Sequence, residues 1–193
     1  MERQYEALTI RELGAGAGLR RPLQPPAAQV SLESPALDVM TDLRRTAPAT
    51  IRPQAPLAGA NQFMISRGVR LLVVVDERET VLGVVTATDI LGERAMLVAT
   101  ERGLRRDELT VADVMVPAER VEAIAAADVA AARVGHVLET LRRAGRQHAL
   151  VLDAERRVCG IFSLTQIARQ LGVAVATGGQ VARTFSEIEA AIK

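Results

Sequence analysis

Gly83-Val84-Val85-Thr86-Ala87-Thr88-Asp89-Ile90 recurs in diverged form 77 residues later, as Gly160-Ile161-Phe162-Ser163-Leu164-Thr165-Gln166-Ile167. The same offset pairs Gly68 with Gly145 and Asp76 with Asp153, and an offset of 75 aligns Asp38-Val39-Met40 with Asp113-Val114-Met115. Repetition at a near-fixed period implies two similar supersecondary units, neither of which buries its apolar face alone. One position breaks the symmetry chemically. A carboxylate, Asp89, stands where the second copy has a neutral amide, Gln166.

Working outward, Leu71-Leu72-Val73-Val74-Val75 is a continuous branched run, the pattern of a strand buried on both faces. Asp76 to Thr80 turns the chain, and Val81 to Val85 is the next strand. Pro56 stands at a helix start, Leu57 to Arg67 has apolar residues at helical spacing, and Gly68 stops it. Thr50-Ile51, between Pro48 and Pro53, reads as a short edge strand. Thr88 to Thr100 is expected to be helical. The first copy is therefore strand, helix, strand, strand, helix.

The second copy repeats the order. Val121 to Ile124 is expected as a strand, Val134 to Ala144 as a helix stopped by Gly145, then strands over Ala149–Asp153 and Val158–Ser163 and a helix from Leu164 to Leu171. An alanine-rich insertion, Ala125 to Arg133, separates its first strand from its helix. Residues 1–33, with Gly14-Ala15-Gly16-Ala17-Gly18 and Pro25-Pro26, form a breaker-rich arm. The three glycines lack the strand, helix and final glycine of a dinucleotide fingerprint. Residues 34–100 and 101–173 are the two repeats. The remainder, 174–193, contains an amphipathic helix over Phe185–Ile192, with Thr184 and Glu187 as a capping box.

Composition narrows the function. The net charge is +1, and Lys193 is the only lysine among 24 basic residues, so a single arginine is weak evidence for a phosphate contact. Tyr5, Phe63, Phe162 and Phe185 are the only aromatics, which leaves little for stacking nucleic-acid bases. Cys159, the single cysteine, excludes an internal disulfide and a cysteine-clustered zinc site, and is expected to pack as a small buried hydrophobe. No apolar stretch reaches the roughly 20 residues of a membrane span, and the polar start Met1-Glu2-Arg3-Gln4 is unlike a signal peptide. A cytoplasmic location is expected, with neither membrane nor nucleic acid as partner.

The chemistry concentrates at Thr86-Ala87-Thr88-Asp89. A buried strand ends there and a helix begins, gathering backbone N–H groups and a positive dipole end that suit an anion. Thr86 adds a hydroxyl for a phosphate oxygen, and Asp89, one turn on, suits a ribose diol. The same residues also make a [ST]-x-x-[DE] capping box that needs no ligand, and Ser163 with Gln166 would cap in the same way. His136 and His148 are expected to be satisfied or solvent-facing. The charges from Glu93 to Glu108, Arg94, Arg102 and Arg106 among them, read as a solvated helix and linker. Arg142, Arg143 and Arg146 likewise read as a solvated cluster. Met40 and Met115 are expected in the core. No nucleophile–base pair or metal set is visible, so catalysis is not expected.

Three groups of residues carry a family resemblance. They are Asp38-Val39-Met40-Thr41, Val69 to Asp76 and Gly83 to Ile90, with Val111 to Pro117, His148 to Asp153 and the Gly160 motif in the second copy. Over about residues 35–172 the chain resembles a tandem pair of CBS (cystathionine β-synthase) domains, a Bateman module. The resemblance implies an α/β fold in which two β-α-β-β-α repeats pack as a pseudo-two-fold pair with clefts between the sheets. It also implies an adenosine ligand (AMP, ADP, ATP or S-adenosylmethionine) held by Thr86 at the phosphate and Asp89 at the ribose. Arg70, and Gln147 as its counterpart, would reach the phosphates, and Val84 and Val85 would form the apolar wall. Gln166 then predicts one competent site at most. The function implied is sensing of a regulatory nucleotide, with no catalytic cofactor, in a homodimer that signals to an unidentified target protein. The arm and the terminal helix are assigned to dimer or partner contacts. The alternative is a ligand-free docking scaffold whose motifs only cap helices.

Overall fold

The structure, a computed structural model, describes residues 30–173, 185–188 and 190. The glycine run at 14–18 and the Thr184 cap lie outside these residues. In chain order the first half gives Thr41–Asp42 (β1), Thr50–Ile51 (β2), Leu57–Arg67 (α1), Leu71–Val75 (β3), Val81–Thr86 (β4), Ala87–Leu91 (α2) and Glu93–Arg102 (α3). The second gives Val111–Val114 (α4), Val116–Pro117 (β5), Ala123–Ala125 (β6), Ala126–Ala131 (α5), Val134–Ala144 (α6), His148–Leu152 (β7), Val158–Ser163 (β8) and Leu164–Gln170 (α7). A 3-10 turn over Ala36–Val39 precedes β1.

The strands form two four-stranded sheets, ordered β2-β3-β4-β5 and β1-β8-β7-β6. The sheets are built alike. Thr50 pairs with Val73 in parallel, and Ala123 pairs with Leu150 in parallel. Each central hairpin is antiparallel, Leu71 opposite Thr86 and His148 opposite Ser163. Its turn is closed by an aspartate: Asp76 accepts from the N–H groups of Arg78 and Thr80, and Asp153 from that of Arg157.

The outermost strands are exchanged. β1, from the first copy, pairs with β8 of the second, while β5, from the second copy, pairs with β4 of the first. The flanking segments follow their strands. Ala36 and Val39 are buried with Val134 and Phe162, and Leu109, Val111 and Val114 with Leu72 and Val85. The duplicated stretches and the packing units therefore do not coincide.

Alternation along the strands sorts the side chains into layers, because successive residues point to opposite faces. Leu72, Val74 and Val85 point into the first helical core, and Val151 and Phe162 into the second. Leu71, Val73, Val84 and Leu150 meet between the sheets. All of β3 is buried, as the branched run requires, and each such side chain contributes roughly 1.5–3 kcal/mol relative to exposure.

Several local expectations change. The helix expected over Thr88–Thr100 breaks at Gly92, whose absent side chain would overlap the carbonyl oxygen of Thr88. The strand expected at Val121–Ile124 lies over Ala123–Ala125, and the alanine-rich insertion folds as α5, with Val129 buried beneath it. Cys159 is half-buried rather than fully enclosed. Phe185 and Ile188, expected at a partner contact, are buried in the second core of their own chain.

Candidate functional site

β4 ends at Thr86 and α2 begins at the next residue, so the strand–helix junction is as sharp as the sequence suggests. The first amide of α2, Ala87 N–H, donates to the Arg70 carbonyl at 2.9 Å. In the second copy Leu164 N–H donates to the Gln147 carbonyl at 2.8 Å. Arg70 and Gln147 are thus fixed at matching places beside the two junctions. Their main chains occupy a helix amide that would otherwise face an anion.

Asp89 and Thr86 form a complete capping box. The Asp89 carboxylate accepts from the Thr86 N–H at 2.9 Å and from the Thr86 hydroxyl at 2.6 Å, and Asp89 N–H donates to that hydroxyl at 3.3 Å. Both acidic contacts use Oδ2. Oδ1 faces the Arg94 guanidinium at 3.6 Å, and Arg94 also donates to the Met115 carbonyl at 3.1 Å. The same arrangement recurs at α4, where Asp113 accepts from Thr110 N–H at 2.7 Å and from its hydroxyl at 2.8 Å and pairs with Arg102. At Asp113 burial pushes the pKa up, but the Thr110 bonds and Arg102 outweigh it and hold the pKa below the usual carboxylate value.

These arginines correct the sequence reading. Arg94 and Arg102 clasp the two capping aspartates, and Arg106 donates to the Ile90 carbonyl at 2.9 Å. The cluster at the end of α6 is paired as well: Arg142 and Arg143 both bond Glu139, and Arg146 lies 3.5 Å from Glu122. Hydrogen bonds from Arg142 and Arg143 hold the Glu139 pKa at about 2.

The second junction differs. Ser163 makes no side-chain cap, contrary to the symmetric expectation. The Gln166 amide oxygen instead accepts from the Thr41 hydroxyl at 3.2 Å, because exchanged strand β1 brings that hydroxyl alongside. Gln166 has been recruited to hold the swapped strand.

Among the remaining predicted residues, Val84 faces the layer between the sheets and Val85 the first helical core. Adjacent strand residues cannot line one wall, so Val85 is not part of it. Thr86 and Ser163 lie on the same faces as Val84 and Ile161 respectively. The Arg70 side chain is half-buried and has no carboxylate partner among the described residues. His148, in the register position that Leu71 holds in the first copy, points into the layer between the sheets with its Nδ1 buried and unpartnered among the described residues. This contradicts the expectation of a satisfied histidine. His136 does meet that expectation, since its Nδ1 accepts from the Arg133 N–H at 3.0 Å. The signal for His148 was available as the leucine-to-histidine change between copies.

A separate hollow of about 500 Å³ lies between α5 and α6, lined by Ile124, Ala127, Asp128, His136, Val137 and Thr140. None of the predicted site residues lines it. No helix among the described residues is long and apolar enough to cross a membrane, and no group of metal-ligating side chains occurs among them.

The exchanged outer strands, the paired hairpins and the two Gly-to-helix junctions now meet an independent comparison: the family model described as "CBS domain" matches residues 36–95. Those residues are similar to a CBS domain. Over 70–74% of its length the chain shares the fold of solved CBS pairs. No curated protein matches the sequence. Among solved structures, an uncharacterized conserved protein from Pyrococcus horikoshii is 22% identical, covers 77% of this chain and 100% of its own, and superposes with a TM-score of 0.57. CBSX2 of Arabidopsis thaliana, solved in complex with AMP, is 20% identical over 70% of this chain and 94% of its own, with a TM-score of 0.52. The CBS domain pair of protein MJ0100, solved with 5-methylthioadenosine and S-adenosyl-L-methionine, is 22% identical over 74% and 97%, with a TM-score of 0.51. At these identities the likeness establishes the fold.

Proposed function

We propose that this CBS pair is a regulatory module that binds an adenosine nucleotide, of the AMP/ADP/ATP or S-adenosylmethionine class, at the Arg70–Thr86 end of the layer between its sheets. Residues 34–100 and 101–173 are its two repeats, and it works by binding rather than catalysis. Ligand binding favours one relative orientation of the repeats, or one arrangement of a homodimer, and so alters affinity for a target protein in the cytoplasm.

The observation that carries this reading is Arg70, a half-buried arginine with no carboxylate to pair with among the described residues. A guanidinium offers five donors and no acceptor, so in a partly buried place it calls for an anion. The Arg70 carbonyl accepts from Ala87 N–H at 2.9 Å, which sets its main chain beside Thr86 at the strand–helix junction. Asp89 stays usable despite its cap: a carboxylate has about four acceptor positions, and among the described residues Oδ1 meets only Arg94. The AMP and S-adenosylmethionine complexes of similarly folded pairs support the ligand class.

Thermal unfolding with AMP, ADP, ATP, S-adenosylmethionine and adenosine tests it. A ligand at 100 times its Kd stabilises by about 2.7 kcal/mol, a rise of roughly 5–10 °C for a chain of this size. That rise is expected for at least one compound and is lost in Asp89→Ala and reduced in Arg70→Gln. Retention in Asp89→Ala with loss in Gln166→Ala moves the site to the other junction. No rise with any compound refutes the reading. It then favours the ligand-free scaffold, for which the Thr110–Asp113–Arg102 copy of the capping geometry is the supporting observation.

A further inference from the structure

His148 is a polar side chain of the second repeat at the register position that Leu71 holds in the first. Alternation puts it on the inner face with Leu150, and its Nδ1 is buried without a partner among the described residues. The strands around it carry almost no charge. β3, β4 and β5 contribute only apolar residues and Thr86, and β8 contributes Ser163 opposite it and Cys159, which packs toward the second core. Arg146, two residues before it, is directed to Glu122. Among the described residues, the charged group that acts on the imidazole is Arg70, from the other repeat. A buried imidazole and a half-buried guanidinium, neither with a partner among the described residues, therefore lie within electrostatic reach of each other across the repeat boundary.

The geometry points to a proton-coupled anion site in which a phosphate held by Arg70 and Thr86 is also contacted by His148, and His148 takes up a proton as the phosphate binds. This deepens the proposed function and rests on it. Without a ligand, burial and then Arg70 hold the His148 pKa down to about 4, so the ring is neutral. A bound phosphate reverses both influences: it offsets the Arg70 charge and places an acceptor against the buried nitrogen. The step forms one N–H bond on His148 with a proton from solvent, and no other bond changes. The sign follows from linkage. The bound state holds a proton that the free state lacks at every pH between about 4 and the raised bound value, so phosphate binding strengthens as pH falls into that window. A ligand lacking phosphate gains nothing from the coupling. The site also draws its groups from both repeats, which gives nucleotide binding a direct hold on their relative position.

The chain has only two histidines, so the imidazole signals of the intact protein report the coupling directly, with His136→Asn making the assignment. Between pH 5 and 7.5 the His148 ring of the free protein should stay neutral. With saturating AMP it should titrate inside that range, a shift of more than one pH unit, while saturating adenosine leaves it neutral. Calorimetry of AMP binding in two buffers of different ionisation heat should show more proton uptake by the wild type than by His148→Leu, which installs the residue the first repeat carries at 71. If AMP binds and His148 stays neutral, or both proteins take up the same number of protons, the coupling is overturned while the nucleotide reading stands. If none of AMP, ADP, ATP, S-adenosylmethionine and adenosine binds, both fall together; if another phosphate nucleotide binds in place of AMP, the same comparison with adenosine is made with it.

Discussion

Gly83 lies opposite Pro117 in the ladder between β4 and β5, so close to the exchanged strand that a Cβ there would overlap the carbonyl oxygen of Val116. Its twin Gly160 lies opposite Asp42, where a Cβ would meet the Met40 sulfur instead. A main-chain carbonyl held in a ladder cannot move aside, whereas a methionine side chain has rotamers to spare. Overpacking of this kind costs about 1–3 kcal/mol. Gly83→Ala is expected at the upper end and Gly160→Ala at or below the lower. Urea unfolding of both variants checks the order, and equal losses would show that strand exchange is not what demands glycine.

Thr86 and Thr110 cap their helices through the same pair of bonds to an aspartate three residues on. Replacing either by valine removes the hydroxyl at similar volume. Each substitution should cost about 1 kcal/mol, the usual value of an N-cap. The proposed site separates them: Thr86→Val should also abolish the thermal response to AMP, and Thr110→Val should leave it intact. Parallel denaturation and ligand-shift measurements decide. If both variants respond to AMP like the wild type, Thr86 is a cap and nothing more.

The parts of this fold legible from the residues are those where periodicity and a stop coincide. Leu57–Arg67 and Val134–Ala144 each run to a glycine in the left-handed region, Gly68 at φ 65° and Gly145 at φ 61°. Strand exchange was not legible, because two-residue strands such as Thr41–Asp42 and Val116–Pro117 carry no period to read. Its one trace is a glycine inside each central strand, the usual mark of a close backbone approach. Thr86 and Asp89 share one capping box, as their [ST]-x-x-[DE] spacing suggests. Val84 and Val85, adjacent along a strand, face opposite layers and so cannot share one wall. A histidine at the head of an apolar strand resembles packing, and only its twin, Leu71, marks His148 as a polar intrusion. The partners of Arg94 and Arg102, Asp89 and Asp113, belong to helix caps, which charge alternation along one helix does not reveal.

Ile188 is 2% exposed and belongs to the second core, together with Phe185. An aliphatic side chain truncated at such a site costs roughly 2–5 kcal/mol, according to how far the cavity collapses. Ile188→Ala should lower the urea midpoint accordingly while leaving the sedimentation behaviour of the folded protein unchanged. A change in assembly without a loss of stability would return this helix to the partner-contact role read from the sequence.

His148 also predicts how stability depends on pH in the absence of ligand. Its folded pKa is held at about 4, first by burial and then by Arg70, whereas an unfolded histidine titrates near 6.5. Between those values the unfolded chain binds a proton that the folded chain does not. Stability from this group is therefore complete above about pH 6.5 and is lost as pH falls through 4, by roughly 3 kcal/mol over the whole window. The half-buried Arg70 adds to the depression, so Arg70→Gln should shrink the effect without removing it. His148→Leu should flatten the dependence between pH 7.5 and 5. Urea midpoints at the two pH values are the measurement. A His148→Leu protein that loses stability on acidification as steeply as the wild type would place the responsible group elsewhere.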